Sequence, residues 1–245
     1  MTELAGKHIV SSFDADMKDL SRQISELGGL AERQLRRALD ALQTRDVNSA
    51  LEIAAADARL DEAEVALEES VIRTLATRQP LAVDLRETIA ALKIASTLER
   101  IGDVAKSIAR SVPAIAARAP VKIARPLVQM GHETLGLLSK VLDAYGARDA
   151  DKAIEVWNDD VKIDETYNSL FRELTTYMME DSRTVGTCAL LLTIAKGLER
   201  VGDHATFIAE MIHFVVKGET LGDERPKGDP AGWMLAGGEG NAKAG

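Results

Sequence analysis

Apolar residues recur every three or four positions through six long segments of the chain, which is the period of a helix and not of a strand. The pattern predicts helices over about 15–45, 47–78, 83–112, 122–147, 150–181 and 184–217. No segment alternates with period two for long enough to predict a strand. The breaks have chemical causes. Pro80 stops the second helix, and Pro113, Pro120 and Pro126 cluster between the third and fourth, where a helix would lose hydrogen bonds and clash. Asp149 is expected to cap the fifth helix, and Asp181 and Ser182 offer caps for the sixth. From residue 219 the chain is rich in Gly, Pro and charge and is expected to be disordered. Trp233 lies in that tail.

The polar positions carry a repeat. LERIGDVA at 98–105 returns as LERVGDHA at 198–205, and upstream DARLD at 57–61 lines up with DVKID at 160–164. The first offset is 100 and the second 103, with the difference absorbed in a helix–helix turn. A repeat of this size implies a duplicated supersecondary unit. The expected fold is all-α: two tandem three-helix bundles, residues 1–118 and 119–218, followed by a tail over 219–245.

Winding the third helix at 100° per residue gathers Ile94, Leu98, Ile101, Ala105 and Ile108 on one side. Glu99 and Asp103, four residues apart, share the opposite side with Leu92 and Ala95. The sixth helix repeats this, with Ile194, Leu198, Val201, Ala205 and Ile208 opposed to Glu199 and Asp203. The second helix has its own acidic stripe at Asp57, Asp61, Glu64 and Glu68. The fifth has Asp160 and Asp164, then Tyr167 and Phe171. If neighbouring helices set these stripes side by side, carboxylates converge in each half. Like charges so placed repel, and their pKa values rise. A bound cation removes that conflict, and oxygen-only ligation suits Mg²⁺, Ca²⁺, Mn²⁺ or iron. The same acids could equally form a solvated face, or salt bridges to Arg59, Arg100, Lys162 or Arg200. From chemistry alone both readings stand.

Composition narrows the setting. Hydrophobic residues make up 46% of the 245 positions and aromatics only 4%, which suits helices packed through Ala and Leu. A net charge of −9 argues against a nucleic-acid footprint. The single cysteine, Cys188, excludes an internal disulfide and a thiolate zinc site. No apolar run has signal-peptide or membrane-spanning length, so a cytoplasmic protein is expected. There is no P-loop, no G-x-G-x-x-G and no Ser-His-Asp context.

The passages YMMEDSRTVGTCALLLTIAKGLERVGDHATFIAEMI (177–212) and RQPLAVDLRETIAALKIASTLERIGDVAKSIA (78–109) resemble the PhoU family of phosphate-transport regulatory proteins. The resemblance rests on the order of six helices, the duplicated E-x-x-x-D signature and the Q-P-x-x-x-D-L-R turn, and extends to residue 218. It implies metal clusters on the bundle surface, of iron or zinc in some members. On this sequence the implied ligands are Glu99 and Asp103, Glu199 and Asp203, with Asp57, Asp61, Asp160 and Asp164 on the acidic helices that complete each site. Manganese and magnesium remain open alongside iron and zinc. The family's turn before the sixth helix reads E-D-P, and Ser182 stands where that proline would be. The resemblance also implies a non-enzymatic regulator that restrains the phosphate-starvation response and phosphate uptake. It would link the ATPase of a phosphate ABC transporter to a sensor histidine kinase, touch the membrane only through partners, and dimerise.

Two rival readings differ in class. A ferritin-like di-metal oxidoreductase needs Glu-x-x-His twice; this chain has one, Glu210 to His213, and Arg110 and Pro113 stand at the matching positions. A helical adaptor with no metal would keep the acids only as a solvated face. His132 and His204 are isolated, with His204 beside Asp203 as a candidate to support a ligand.

Overall fold

The helical period is realised as six rods, two of them broken. The structure, a computed structural model, describes residues 2–118 and 124–222, with side chains placed over 15–118 and 125–222. The first repeat runs α1 (Thr2–Thr44), α2 (Val47–Ala56), α3 (Ala58–Arg78) and α4 (Val83–Ala116). The second runs α5 (Ala124–Ala147), α6 (Ala150–Asp159), α7 (Val161–Glu180) and, after a 3₁₀ turn at Ser182–Thr184, α8 (Val185–Lys217). No strand occurs among the described residues. None of their helices is long and apolar enough to cross a membrane. Pro120, and the expected disordered tail from 223 onward with Trp233, lie outside the described residues.

The duplication is visible in the turns. Arg45 and Arg148 each adopt a left-handed conformation, with φ of 58° and 53°. The following Asp46 N–H closes back on the Ala41 carbonyl at 3.0 Å, and Asp149 on Ala144 at 2.9 Å. Each aspartate then caps the next helix: Asp46 accepts from the Ser49 N–H, and Asp149 from those of Asp151 and Lys152. These bonds satisfy donors that a helix start leaves open. Asp181 likewise caps the 3₁₀ turn by accepting from the Arg183 N–H. Ser182 opens that turn instead of capping α8, whose start carries no side-chain cap.

Three expectations are corrected. The first helix begins at Thr2 and not near 15, and no proline stands before Thr44 to interrupt it. Pro113 does not end the third helix but sits inside α4, which continues to Ala116. A proline this near a C-terminus forfeits one backbone bond without ending the last turn, and the Ala117 N–H still reaches the Pro113 carbonyl at 3.1 Å. Pro126 falls in the first turn of α5, where its missing N–H would have no partner inside the helix. The second and fifth helices are each broken, at Asp57 and Asp160. Both residues keep right-handed helical angles, so the hydrogen-bond ladder is interrupted without reversal of the chain.

α4 and α8 lie at the centre. α4 packs on α1, α2, α3 and α8; α8 packs on α5, α6, α7 and α4; α1 also packs on α5. One contiguous apolar core runs through both repeats. The inner faces read from the pattern are buried, from Ile94 to Ile108 on α4 and from Ile194 to Ile208 on α8. Each fully buried Leu or Ile contributes about 1.5–3 kcal/mol. Ala95, placed by winding on the acidic side, is fully buried, because α4 is gripped by neighbours on several sides and keeps little open surface. Cys188 is buried as a small apolar residue.

Candidate functional site

In the first repeat α3 lies along α4, and Asp61 and Glu64 face Glu99 and Asp103. Glu99 is half-buried, and its pKa is pushed up to about 7. Burial is the largest cause. Repulsion from Asp103 and Glu64, a hydrogen bond shared with Asp103 and the charge of Asp61 add to it. Two carboxylates can share a hydrogen bond only by holding a proton between them. Glu64 is also raised, by burial and by Glu68 and Asp61, against the opposing pull of its hydrogen bond to Ser96 and the Arg100 charge. No salt bridge reaches Asp61, Glu64 or Glu99 among the described residues. Asp61, Glu64 and Asp103 thus all lie near enough to Glu99 to act on its charge; Glu64 was not among the expected ligands, and its i+3 spacing from Asp61 was the readable signal.

Asp57 sits apart from that cluster. It is 3% exposed at the α2–α3 break, accepts a hydrogen bond from Gln34 Nε2 at 2.7 Å and is ion-paired with Lys106. The same ammonium lies 3.5 Å from Asp103. Asp57 therefore ties α1 and α4 to the break in the second rod.

The second repeat holds different chemistry on the same frame. Lys196 Nζ donates to Glu199 Oε1 at 2.7 Å and lies 5.3 Å from the centre of the Tyr167 ring. Burial disfavours its charge, but the Glu199 hydrogen bond and the charges of Glu199, Tyr167 and Asp203 outweigh it and raise its pKa. Glu199 Oε2 is buried with no hydrogen-bond partner among the described residues. Asp164 and Asp203 are half-buried. Asp160 is fully buried at the α6–α7 break and lies against Gly202 of α8, where a Cβ would collide with its carboxylate.

The remaining candidates are engaged elsewhere. Trp157 Nε1 donates to Glu210 at 3.2 Å, and His213 Nδ1 meets the Glu219 carbonyl at 3.0 Å, so the lone Glu-x-x-His pair has other partners. His204 Nε2 is buried with no hydrogen-bond partner among the described residues. Burial, with the charges of Arg200 and Arg100, holds its pKa down at about 4. His132 is exposed at the rim of a cavity near the start of α5. Between α4 and α8 runs a groove of about 490 Å³, lined among others by Arg100, Asp103, Ser107, Thr193, Lys196 and Arg200.

This arrangement, a helical repeat with E-x-x-x-D on the central helix of each copy, matches known proteins. The PhoU domain family matches residues 24–112 and again residues 127–212. The chain belongs to the PhoU family. A phosphate-specific transport system accessory protein PhoU homolog from Caulobacter vibrioides is 45% identical over 224 residues, covering 91% of this chain and 97% of that protein. The crystal structure of PhoU from Pseudomonas aeruginosa superposes with a TM-score of 0.82 at 34% identity, over 84% of this chain and all of that one. That of the phosphate transport system regulatory protein PhoU from Streptococcus pneumoniae gives 0.80 at 30%, over 86% and 99%.

The metal clusters implied for PhoU proteins can be tested against these side chains. Among the described residues no three His, Cys, Asp or Glu side chains are disposed, as they stand, to hold one metal ion. The donor chemistry nevertheless fits a hard multivalent cation in the first repeat, where burial and the neighbouring carboxylates keep Glu99 from ionising freely. In the second repeat the donor set is interrupted by an ammonium.

Proposed function

We propose that this PhoU protein is a non-enzymatic regulator of phosphate homeostasis. It restrains the phosphate-starvation response and phosphate uptake by linking the ATPase of a phosphate ABC transporter to a sensor histidine kinase. The observation that carries this reading is likeness over nine-tenths of the chain to a protein named as an accessory of the phosphate-specific transport system. The Streptococcus pneumoniae relative, named as a phosphate transport system regulatory protein, supports it further. In this reading the protein works in the cytoplasm as a homodimer, reaches the membrane through its partners, and turns over no substrate.

The acidic faces serve this role by holding multivalent cations, with iron, zinc, manganese and magnesium as the candidates. In the first repeat Asp61, Glu64, Glu99 and Asp103 would hold the ion, which would supply positive charge where carboxylates now repel. Asp61 and Asp103 are exposed, on the side from which an ion would arrive. Asp57 keeps the helices that carry these donors in register through Lys106 and Gln34.

The test is retention of the transporter ATPase and of the kinase on the immobilised protein, with and without phosphate. Both are expected to be retained in a phosphate-dependent way. In cells, loss of this protein is expected to leave a phosphate-starvation reporter switched on in rich medium. Retention of neither partner at any phosphate level would end this reading.

A further inference from the structure

The duplicated acidic faces are not equivalent, and the difference lies at two matched positions. Ser96 on α4 corresponds to Lys196 on α8, and Glu64 on α3 corresponds to Tyr167 on α7, at the offsets of 100 and 103 that relate the repeats. The contacts match as well. Ser96 hydrogen-bonds Glu64 in the first repeat, and Lys196 lies over the Tyr167 ring in the second. One acid is therefore replaced by an aromatic ring, and a hydroxyl by an ammonium. The ring face attracts that ammonium and helps to hold it in place.

From this geometry we infer that the second repeat carries its own countercharge, Lys196, and that multivalent metal binds only at the first repeat. The inference rests on the metal reading above and refines it. The side chain of Glu199 is 14% exposed. Its Oε2 is shut away from solvent, so an ion arriving from water meets Glu199 through Oε1, and Lys196 holds Oε1 at 2.7 Å. Asp203 also attracts the same ammonium. Glu99 has no salt bridge among the described residues and faces Asp61, Glu64 and Asp103 instead. The first repeat also has a lysine, Lys106, which pairs with the buried Asp57 and lies 3.5 Å from Asp103, but no salt bridge joins it to Glu99 among the described residues. At the matching position the second repeat has Thr206. Each half thus sets a lysine against its acidic residues, and only Lys196, in the second half, sits on the E-x-x-x-D glutamate.

The experiment is equilibrium dialysis of the full chain against Mn²⁺, with elemental analysis for stoichiometry and thermal unfolding as a second readout. Glu99→Gln/Asp103→Asn is expected to lower bound Mn²⁺ at least tenfold. Glu199→Gln/Asp203→Asn is expected to leave it within twofold of the parent protein. Exchanging the second repeat toward the first, Lys196→Ser with Tyr167→Glu, is expected to double the stoichiometry. The reverse graft, Ser96→Lys, changes a half-buried position on the rim of the cluster and is expected to abolish binding while leaving the helical circular dichroism intact. Equal loss from the Glu199 and Glu99 variants, or no gain from the Lys196 and Tyr167 exchange, overturns the inference while the metal reading survives. Absence of saturable Mn²⁺ on the parent protein and on every graft overturns both.

Discussion

Glu99 and His204 titrate in opposite senses, and each sets a separate pH dependence of stability. The folded state raises Glu99 from 4.5 to about 7, so it holds a proton that the unfolded chain releases. Its contribution is complete below pH 4.5 and is lost as pH rises through about 7. His204 is lowered from 6.5 to about 4, so between those values the unfolded chain binds the extra proton. That contribution is present above pH 6.5 and is lost as pH falls through about 4. In chelator-treated buffer, Glu99→Gln should gain more in Tm over the parent at pH 8 than at pH 4.5. His204→Val, which installs the first repeat's residue Val104, should gain more at pH 5 than at pH 8. Melting curves at these pH values check both, and coincident gains at all pH would refute the assignments. The pairing of Glu99 with Asp103 was legible because i and i+4 share a helix face. The arrival of Glu64 beside them was only half legible, since it depends on how α3 lies along α4. Lys196 on Glu199 was not among the expected pairs: the i+3 spacing is there in the sequence, but the countercharges expected for the acids were Arg59, Arg100, Lys162 and Arg200.

At the scale of elements, the six helical rods and most of their ends follow from periodicity and capping residues. The two breaks do not. Asp57 and Asp160 keep helical angles and have no Pro or Gly beside them, so nothing local marks an interruption. The cause is long-range: a carboxylate drawn inward, by Gln34 and Lys106 in one repeat and against Gly202 in the other. Removing one partner of a buried pair strands the other, so Asp57→Ala should destabilise by about 3 kcal/mol. For a chain of this size, that lowers Tm by roughly 6–12 °C. Two glycines provide a contrast measurable in the same melts. At Gly202 a Cβ would strike the Asp160 carboxylate, so Gly202→Ala should destabilise by about 2 kcal/mol despite alanine's better helix propensity. At Gly136, exposed on α5 with nothing within 4 Å, Gly136→Ala should stabilise by about 1 kcal/mol. A gain at Gly202, or a loss at Gly136, would contradict the packing described.

For the whole molecule, a ligand that binds only the folded state stabilises it by mass action. Free Mn²⁺ at 100 times its dissociation constant should add about 2.7 kcal/mol, a Tm gain of roughly 5–11 °C that a chelator reverses. A Tm indifferent to Mn²⁺ and chelator alike would argue that the carboxylates are only a solvated face. The duplication was plain in the letters, because two octapeptides and two acidic stripes recur. That the copies share one interior was not, because periodicity shows which face of a helix is apolar and not which helix covers it. α4 resting on α8, and α1 on α5, means that neither half is finished by itself. A fragment cut at residue 118 would leave both of those flanks wet, and its nearest cover of the right shape is a twin of itself. The chain reads as a symmetric pair fused end to end, in which one tether released the two partners from having to stay identical.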